Sequence, residues 1–475
     1  MPEFAPAFAE IFLAVGICVV LITDLFLPQA RRDITYILAL LCLVGTAWIS
    51  SGIELDASPT ILFSGLFIAD PLSQFLKIFA IAIVSVGFVY SRDYLRERGI
   101  YRGEYYVLGL FALLGIMVMI SAFSLLTMYL GLEMLSLALY AMVAFDRESP
   151  IAAEAAMKYF VLGAIASGIL LYGMSILYGV TGSLRLDQLA TKLMASDPGQ
   201  WSVLLGLVFI LVGVAFKFGA VPFHMWLPDV YQGAPTSVTL FIGTAPKIAA
   251  FAMAIRLLVE GLGSEAATWQ PILTVLAVLS LAVGNILAIA QTNIKRMLAY
   301  STIAHVGFIL LGLVAGNQAG REAALFYTLI YVIMAAGAFG MVILMSRTGF
   351  EADRLDDYKG LNARSPWFAG IMLFLMFSLT GVPPFAGFFA KWSILAALVD
   401  AGKIWLAAVA VLFSVIGAFY YLRIVRLMYF DQGLDRTAPE AGLDLRILLS
   451  LNGLVLLALG LFPDWLLRMC TAVMA

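Results

Sequence analysis

Residues 213–250 read GVAFKFGAVPFHMWLPDVYQGAPTSVTLFIGTAPKIAA, and this stretch decides how the chain folds. Lys217 lies deep in an apolar run, five residues before Pro222, and Lys247 lies deep in the next apolar run, beside Pro246. A lysine at the centre of a bilayer costs about 2.5–3.5 kcal/mol on insertion scales, so such residues are rare and usually functional. Proline within a membrane helix frees a backbone carbonyl, which protein or water must then satisfy. Two buried amines beside broken helices predict an ion or proton path.

The rest of the chain is almost continuous membrane helix. Of its 475 residues, 63% are hydrophobic and 12% are charged, whereas soluble domains carry about 25% charged residues. No basic run indicates nucleic-acid binding, and no phosphate-binding loop, dinucleotide fingerprint or iron–sulfur spacing occurs. Cys18, Cys42 and Cys470 lie far apart in apolar surroundings, so we expect no metal or cofactor in this chain. Its energy must come from an ion gradient or from partner subunits.

Apolar runs of about 17–25 residues mark spanning helices. About fourteen such runs are present, which predicts an all-α polytopic membrane protein. Arginine and lysine cluster in the loops that follow odd-numbered helices, so the positive-inside rule predicts that both termini lie outside the cytoplasm. The predicted spans are 7–27, 34–51, 72–91, 105–122, 124–145, 154–179, 202–221, 236–258, 271–290, 299–316, 323–346, 367–398 (broken), 404–429 and 446–470.

A short stretch of sequence similarity relates the seventh and twelfth predicted helices. The seventh ends KFGAVPFHMW from Lys217, and the twelfth reads SLTGVPPFAGFFAKW up to Trp392, with Lys391 just past its break. Because the two breaks are an odd number of helices apart, the two copies must have opposite orientations in the membrane. Inverted repeats with discontinuous helices are typical of secondary transporters.

Acidic and basic residues in the fifth and sixth predicted helices are candidate proton carriers. Glu133 has apolar neighbours on both sides in the sequence. It is therefore either a proton-carrying group or half of a fixed ion pair between helices. Lys158 follows Glu154 by four residues, which allows a simple bridge on one helix face. It lies a turn deeper, however, and could connect Glu133 to the next helix.

The remaining candidates are Lys217, Lys247, Lys391 and the only two histidines, His224 and His305. A buried amine can titrate near neutral pH, and a histidine relays protons there. The alternative for the lysines is snorkelling towards a helix end, and for the histidines a hydrogen-bonded place in the core.

Two other charges lie toward helix ends. Asp24 and Arg256 are expected to make interfacial or inter-helix contacts and to carry no protons.

Three stretches carry a family resemblance: FKFGAVPFHMWLPDVYQGAPTSVT at 216–239, NIKRMLAYSTIAHVGF at 293–308 and GVPPFAGFFAKW at 381–392. They resemble the antiporter-like membrane subunits of respiratory complex I, which are similar to subunits of multi-component sodium/proton antiporters. The resemblance spans predicted helices four to thirteen and implies two inverted five-helix repeats, each with a broken helix. These repeats are 104–260 and 268–430, between an N-terminal three-helix segment (1–103) and a C-terminal helix (440–475).

The resemblance also implies a proton pathway. The family's functional residues match Glu133, Lys158, Lys217, Lys247, His305 and Lys391, and the histidine of its PFHxWLPD stretch matches His224. Within the family, fourteen helices, Glu133 and a lysine at 391 make the chain most similar to bacterial subunit N.

This resemblance implies a proton-translocating subunit of NADH:quinone oxidoreductase, a translocase, in a bacterial cytoplasmic membrane with both termini periplasmic. The expected partners are neighbouring membrane subunits, the peripheral redox arm and lipid, but no nucleic acid. NADH, FMN, iron–sulfur clusters and quinone are expected to be used elsewhere in the complex. The alternatives are a sodium/proton antiporter subunit and a structural subunit whose charges tie helices together.

Overall fold

The computed structural model describes residues 2–53, 59–195, 200–433, 437–439 and 441–474. The N-terminal segment contains α1 (Phe8–Phe26), α2 (Asp33–Gly52), β1 (Thr60–Leu62), β2 (Phe67–Ala69) and α3 (Pro71–Glu97). The strands form an antiparallel hairpin in which Thr60 pairs with Ala69 and Leu62 with Phe67.

The middle of the chain contains α4 (Glu104–Ile120), α5 (Leu125–Val143), α6 (Pro150–Thr181), α7 (Leu186–Met194), α8 (Trp201–Phe218), α9 (Trp226–Gly233), α10 (Thr236–Gly243) and α11 (Ala245–Ala254), continued by a π-helical turn (Ile255–Gly261). The last part contains α12 (Ala266–Ile289), α13 (Ile294–Ala315), α14 (Gln318–Met345), α15 (Leu361–Arg364), α16 (Pro366–Thr380), α17 (Ala386–Asp400), α18 (Ile404–Tyr429), α19 (Leu443–Leu461) and α20 (Pro463–Met474). The all-α membrane architecture predicted from the sequence is confirmed.

Within the described residues, 12 helices are long and apolar enough to span a membrane. Two shorter apolar helices, α4 and α16, occupy two further predicted spans, so the count of fourteen stays a prediction. The span predicted at 236–258 corresponds to the candidate span Thr236–Gly261, which has a kink at Thr244 (φ −118°, ψ −97°). One boundary was wrong. The span predicted at 446–470 ends at Leu461, because Pro463 has no N–H to continue it.

Short polar residues set the starts of several helices. Asp70 accepts a hydrogen bond from Ser73 N at 2.8 Å, Ser73 Oγ accepts from Asp70 N at 3.0 Å, and Pro71 opens α3. This reciprocal pair is a capping box that satisfies two otherwise unpaired donors. Ser149 caps α6 with a single hydrogen bond, which its side chain accepts from Ala152 N at 3.3 Å, and Pro150 is the first residue of the helix.

Four helices, α10, α11, α13 and α14, form the innermost layer of the bundle. The apolar windows of the segment Thr236–Gly261 and of α13 are completely buried, and that of α14 is 94% buried. The windows of α1 and α18 are only 33% buried, which is expected of helices that face lipid or other subunits. Lys247 and His305 lie on the innermost helices, so their surroundings are set by protein and not by lipid.

The two halves of the chain share local packing features. A Cβ at Gly115 of α4 would lie 2.6 Å from Leu135 N of α5, and one at Gly284 of α12 would lie 2.5 Å from Ala304 N of α13. In both places only glycine lets the two backbones approach so closely.

A second shared feature joins a loop to a helix start. Leu125 N bonds Leu184 O at 2.9 Å, and Leu186 N bonds Phe123 O at 3.1 Å. The same two-bond bridge recurs between residues 292–294 and 353–355, at 2.6 and 2.9 Å. The division into inverted repeats at 104–260 and 268–430 stays a prediction, which these features support.

Candidate functional site

The first helix break follows α8. Gly219 adopts φ +79°, which favours glycine, and its N–H bonds Ala215 O at 2.9 Å. The carbonyl of Phe218 accepts a hydrogen bond from Lys247 Nζ of α11 at 2.8 Å. Val221 N, within the break, donates to Ser280 Oγ of α12 at 2.9 Å. The backbone groups that the break frees are therefore satisfied by side chains of two other helices.

The second break follows α16 and repeats this arrangement. Gly381 adopts φ +88°, and its N–H bonds Phe377 O at 3.0 Å. Lys391 Nζ of α17 donates to Thr380 O at 2.7 Å and to Ser414 Oγ of α18 at 2.8 Å. In both breaks, a lysine ammonium bonds the carbonyl of the residue that precedes the glycine.

Lys217, at the end of α8, lies beside a cavity between α5, α6 and α8. Its Nζ donates to Ser136 Oγ at 3.2 Å, and the cavity, about 340 Å³ in empty volume, is also lined by Ser167. Glu133 accepts a hydrogen bond from Ser167 Oγ. Glu133 and Lys217 form none of the ion pairs among the described residues, and each bonds a serine hydroxyl beside this cavity.

His305 lies in the middle of α13 and is 3% exposed. Its two ring nitrogens contact the hydroxyls of Tyr327, at 2.7 Å from Nδ1, and Tyr421, at 3.0 Å from Nε2. Tyr421 also bonds Ser301 Oγ. A neutral imidazole has one donor and one acceptor nitrogen, so this row of hydroxyls can pass a proton through the ring in either direction.

Lys158 and His224 lie apart from these groups. Lys158 Nζ bonds Glu154 at 2.8 Å and Asp229 of α9 at 2.7 Å, and its side chain is 43% exposed. The expected connection from Lys158 to Glu133 is not among the contacts of the described residues. His224 is half-buried in the first break, and its Nδ1 has no hydrogen-bond partner in the described part of the chain.

The charges expected to hold helices together do so. Arg256 is 1% exposed and bonds Asp70 at 2.8 Å and Glu260 at 2.5 Å. Asp24 bonds Arg32 at 3.2 Å and accepts from Thr35 at 2.6 Å.

The sequence reasoning missed a buried Lys77–Glu10 pair, 2.5 Å apart, between α3 and α1. It also missed the hydroxyl groups that contact the candidate proton carriers. Ser136 lies three residues after Glu133 and so on the same helix face, which is the one signal that could have found it. Tyr327, Tyr421 and Ser414 lie on other helices than the groups they contact, and nothing near them in the sequence indicates their role.

No group of three or more metal-ligating side chains occurs within the described ranges. The arrangement thus consists of buried amines, one imidazole and hydroxyls. Such groups can hold and transfer protons.

Residues 122–417 match the family described as NADH:quinone oxidoreductase/Mrp antiporter, TM. NADH-quinone oxidoreductase subunit N of Thioalkalivibrio sulfidiphilus is 59% identical over 478 residues, covering 100% of this chain and 99% of that protein. The chain belongs to the NADH:quinone oxidoreductase/Mrp antiporter family. The resemblance read from the sequence is confirmed.

Solved structures of this family show the same fold. A chain of respiratory complex I from Thermus thermophilus with bound aureothin is 33% identical, with a TM-score of 0.81 over 97% of this chain and 98% of that one. A chain of the Mrp complex from Dietzia sp. is 23% identical, with a TM-score of 0.85 over 99% of this chain and 97% of that one, a likeness in fold alone. The family's helical bundle is thus common to the complex I and Mrp branches.

Proposed function

We propose that this chain is a proton-translocating membrane subunit, of the subunit N type, of NADH:quinone oxidoreductase. One observation carries the proposal: the amines at the two helix breaks have only neutral partners. Lys217 and Lys391 bond serine hydroxyls, and Lys247 and Lys391 bond backbone carbonyls. Among the described ion pairs, none of the three lies within 4.0 Å of a carboxylate.

The lysines at the breaks differ from the charged residues whose ion pairs hold helices together. Arg256 and Lys77 are each fixed by a carboxylate within 2.8 Å, so their charge is held in place. An ammonium whose partners are neutral gains no such compensation for leaving water. Its charge therefore depends on nearby charges and hydration, which is what a proton carrier requires.

Proton transfer is proposed to run from Glu133 and Lys217 through the innermost layer of the bundle, at Lys247 and His305, to Lys391. Electron transfer from NADH to quinone in other subunits would change charge or hydration near Glu133. That change would act on Lys217 across the cavity lined by Ser136 and Ser167, with Lys158 as a contributing group. A proton on Lys217 would repel the proton on Lys247. The proton from Lys247 would then pass through His305 to Lys391 and leave the protein. His224, at the first break, is a secondary candidate.

The remaining parts of the proposal concern organisation. The chain would form two inverted repeats with both termini in the periplasm of a bacterial inner membrane. It would contact neighbouring antiporter-like and small membrane subunits and, through them, the redox arm that holds FMN and iron–sulfur clusters. The repeated loop bridges and the repeated lysine–carbonyl contacts support the two repeats.

The test begins with native separation of mildly solubilised membranes, following this chain together with NADH oxidation. We expect it in a very large band with NADH-oxidising activity. A smaller band without that activity, with sodium-driven proton exchange, would instead support the antiporter alternative.

The second stage uses Lys217→Met, with Lys359→Met as the matched control, because Lys359 bonds Asp356 on a loop outside the bundle. Assembled Lys217→Met complex should lose NADH-driven proton uptake while the control retains it. Normal uptake per assembled Lys217→Met complex would favour the structural alternative.

A further inference from the structure

A polar cavity with an empty volume of about 740 Å³ lies between the two halves of the chain, away from both helix breaks. It opens where the loops after α3, α5 and α14 meet the first turn of α13. Asp146, Glu351 and Asp353 line it and are half-buried, whereas Lys295 lines it and is only 3% exposed. Lys295 is thus the most deeply buried charged group of this cavity.

Lys295 has the same surroundings as the lysines of the two breaks. Its Nζ donates to the carbonyl of Ala234, between α9 and α10, at 2.8 Å. In the part of the chain that the structure describes, no carboxylate lies within 4.0 Å of this ammonium. In sequence Lys295 follows a loop and stands beside Arg296, so it reads there as an ordinary loop charge.

The three carboxylates differ in their own contacts. Glu351 is engaged with Arg98, Tyr94 and Thr236, and these bonds tie the cavity wall together. Asp353 accepts a hydrogen bond from Asn293 at 2.7 Å. Neither Asp353 nor Asp146 forms any of the described ion pairs. No described cation therefore pairs with either of these two carboxylates.

The hydroxyls of Thr302 and Tyr331 lie near the part of α13 that runs from Lys295 to His305. At 3.6 residues per turn, Thr302 and His305 follow Lys295 on the same side of α13. Thr302 Oγ1 accepts from Tyr331 OH at 2.8 Å. The ring of Tyr331 lies 5.1 Å from that of His305, centroid to centroid.

We propose that this cavity is a second proton-uptake site, in which Lys295 receives protons for His305. The neutral amine accepts one proton from cavity water beside Asp146 or Asp353, and the ammonium then releases one proton towards Thr302, Tyr331 and His305. This inference rests on the proposed proton-translocating function. It supplies protons to the part of the pathway from His305 to Lys391, and their transfer still requires the charge changes at Lys217 and Lys247.

The test compares Lys295→Met and Lys295→Arg in the intact complex, with Lys359→Met as the control on the same group of loops. Both Lys295 variants should slow NADH-driven proton uptake by at least about tenfold, the lower range for losing a positioned proton-transfer group. NADH oxidation by ferricyanide should be unchanged, which reports on an assembled redox arm. If Lys295 serves only to bond Ala234 O, the arginine variant keeps that donor and restores uptake, and the inference is overturned.

A second variant covers the case in which Lys295 is needed for folding. Asp146→Asn combined with Asp353→Asn removes both unpaired acids and retains hydrogen-bonding side chains. It should also slow proton uptake, by at least about tenfold, and normal uptake would overturn the inference.

Lys217→Met distinguishes a failure of the second uptake site from a failure of the proposed proton-translocating function. If it abolishes uptake while the Lys295 and acid variants are normal, only the second uptake site is wrong, whereas normal uptake in Lys217→Met contradicts the proposed function itself.

Discussion

At the break after α8, the freed backbone groups are bonded by Lys247 of α11 and Ser280 of α12. At the break after α16, they are bonded by Lys391 of α17, which lies on the same broken helix, and by Ser378, whose Oγ accepts from Gly387 N at 3.1 Å. The first break is therefore held by residues from both halves of the chain. The second is held mostly by its own two helices.

This difference shows that one sequence motif can be coupled to its surroundings in two ways. A shift of α12 reaches the first break directly, through the Ser280–Val221 hydrogen bond. The second break has no such contact with the other half among its described hydrogen bonds, and its lysine is only half-buried. We infer that the first break transmits events between the halves and that the second completes transfer locally.

The largest expected effect is that of Lys247→Met. Removing a buried proton carrier should slow NADH-driven proton uptake by about 100-fold or more, within the usual range for proton-transfer groups. Lys247→Arg should not restore uptake, because arginine keeps the bond to Phe218 O but does not release its proton.

The matched control for Lys247 is Lys403→Met. Lys403 also bonds a backbone carbonyl, that of Val314, but it does so at a helix end. Proton uptake in assembled complex should be normal in this variant. A loss equal to that of Lys247→Met would show that carbonyl bonding, and not proton transfer, is what the lysine provides.

Next in size is Ser280→Ala, which leaves Val221 N–H buried without a partner. An unsatisfied buried donor costs about 1–3 kcal/mol, so the thermal midpoint of the purified complex should fall. Ser175→Ala removes a hydroxyl that bonds its own helix at Leu171 O on an exposed face, and should change stability by less than about 0.5 kcal/mol. Equal midpoints for the two variants would contradict the role of Ser280 in joining the halves.

A smaller effect is expected from Ser414→Ala. Lys391 loses one of its two partners and keeps Thr380 O, so the loss should be about 1 kcal/mol, or several-fold in proton uptake. Ser136→Ala removes the one described hydrogen-bond partner of Lys217 and should have at least as large an effect. Measuring both in proton-uptake assays ranks the two breaks, and a larger effect at Ser414 would reverse the comparison.

The smallest effect is expected outside the membrane, at the loop bridge of the first half. Arg185 bonds Asp187 at 2.6 Å and lowers the pKa of that carboxyl. The ion pair is well exposed, so Asp187→Asn should cost at most about 1 kcal/mol. Because the pKa is lower in the folded chain, this contribution is present above about pH 4 and is lost as the pH falls through the folded value. Thermal midpoints measured at pH 7 and at low pH, in both proteins, test this sign.

The sequence by itself determined the membrane class, the two helix breaks and the presence of Lys217, Lys247 and Lys391 within or beside them. These are local signals, since a long apolar run, a Gly–Pro interruption and a lysine within hydrocarbon each carry a large energetic cost that few structures can accommodate. Helix starts and spans followed for the same reason, apart from interruptions such as the one before Pro463.

Only the tertiary structure decided which groups these amines contact. A serine or tyrosine in a membrane helix gives no signal of its own. Ser280 and Tyr421 reach their partners from helices far away in sequence, and Ser414 reaches Lys391 from the next helix. Lys295 shows the limit most clearly. It follows a loop and looks solvated, but the loops of both halves fold over it and bury it, and that burial depends on packing between segments distant along the chain.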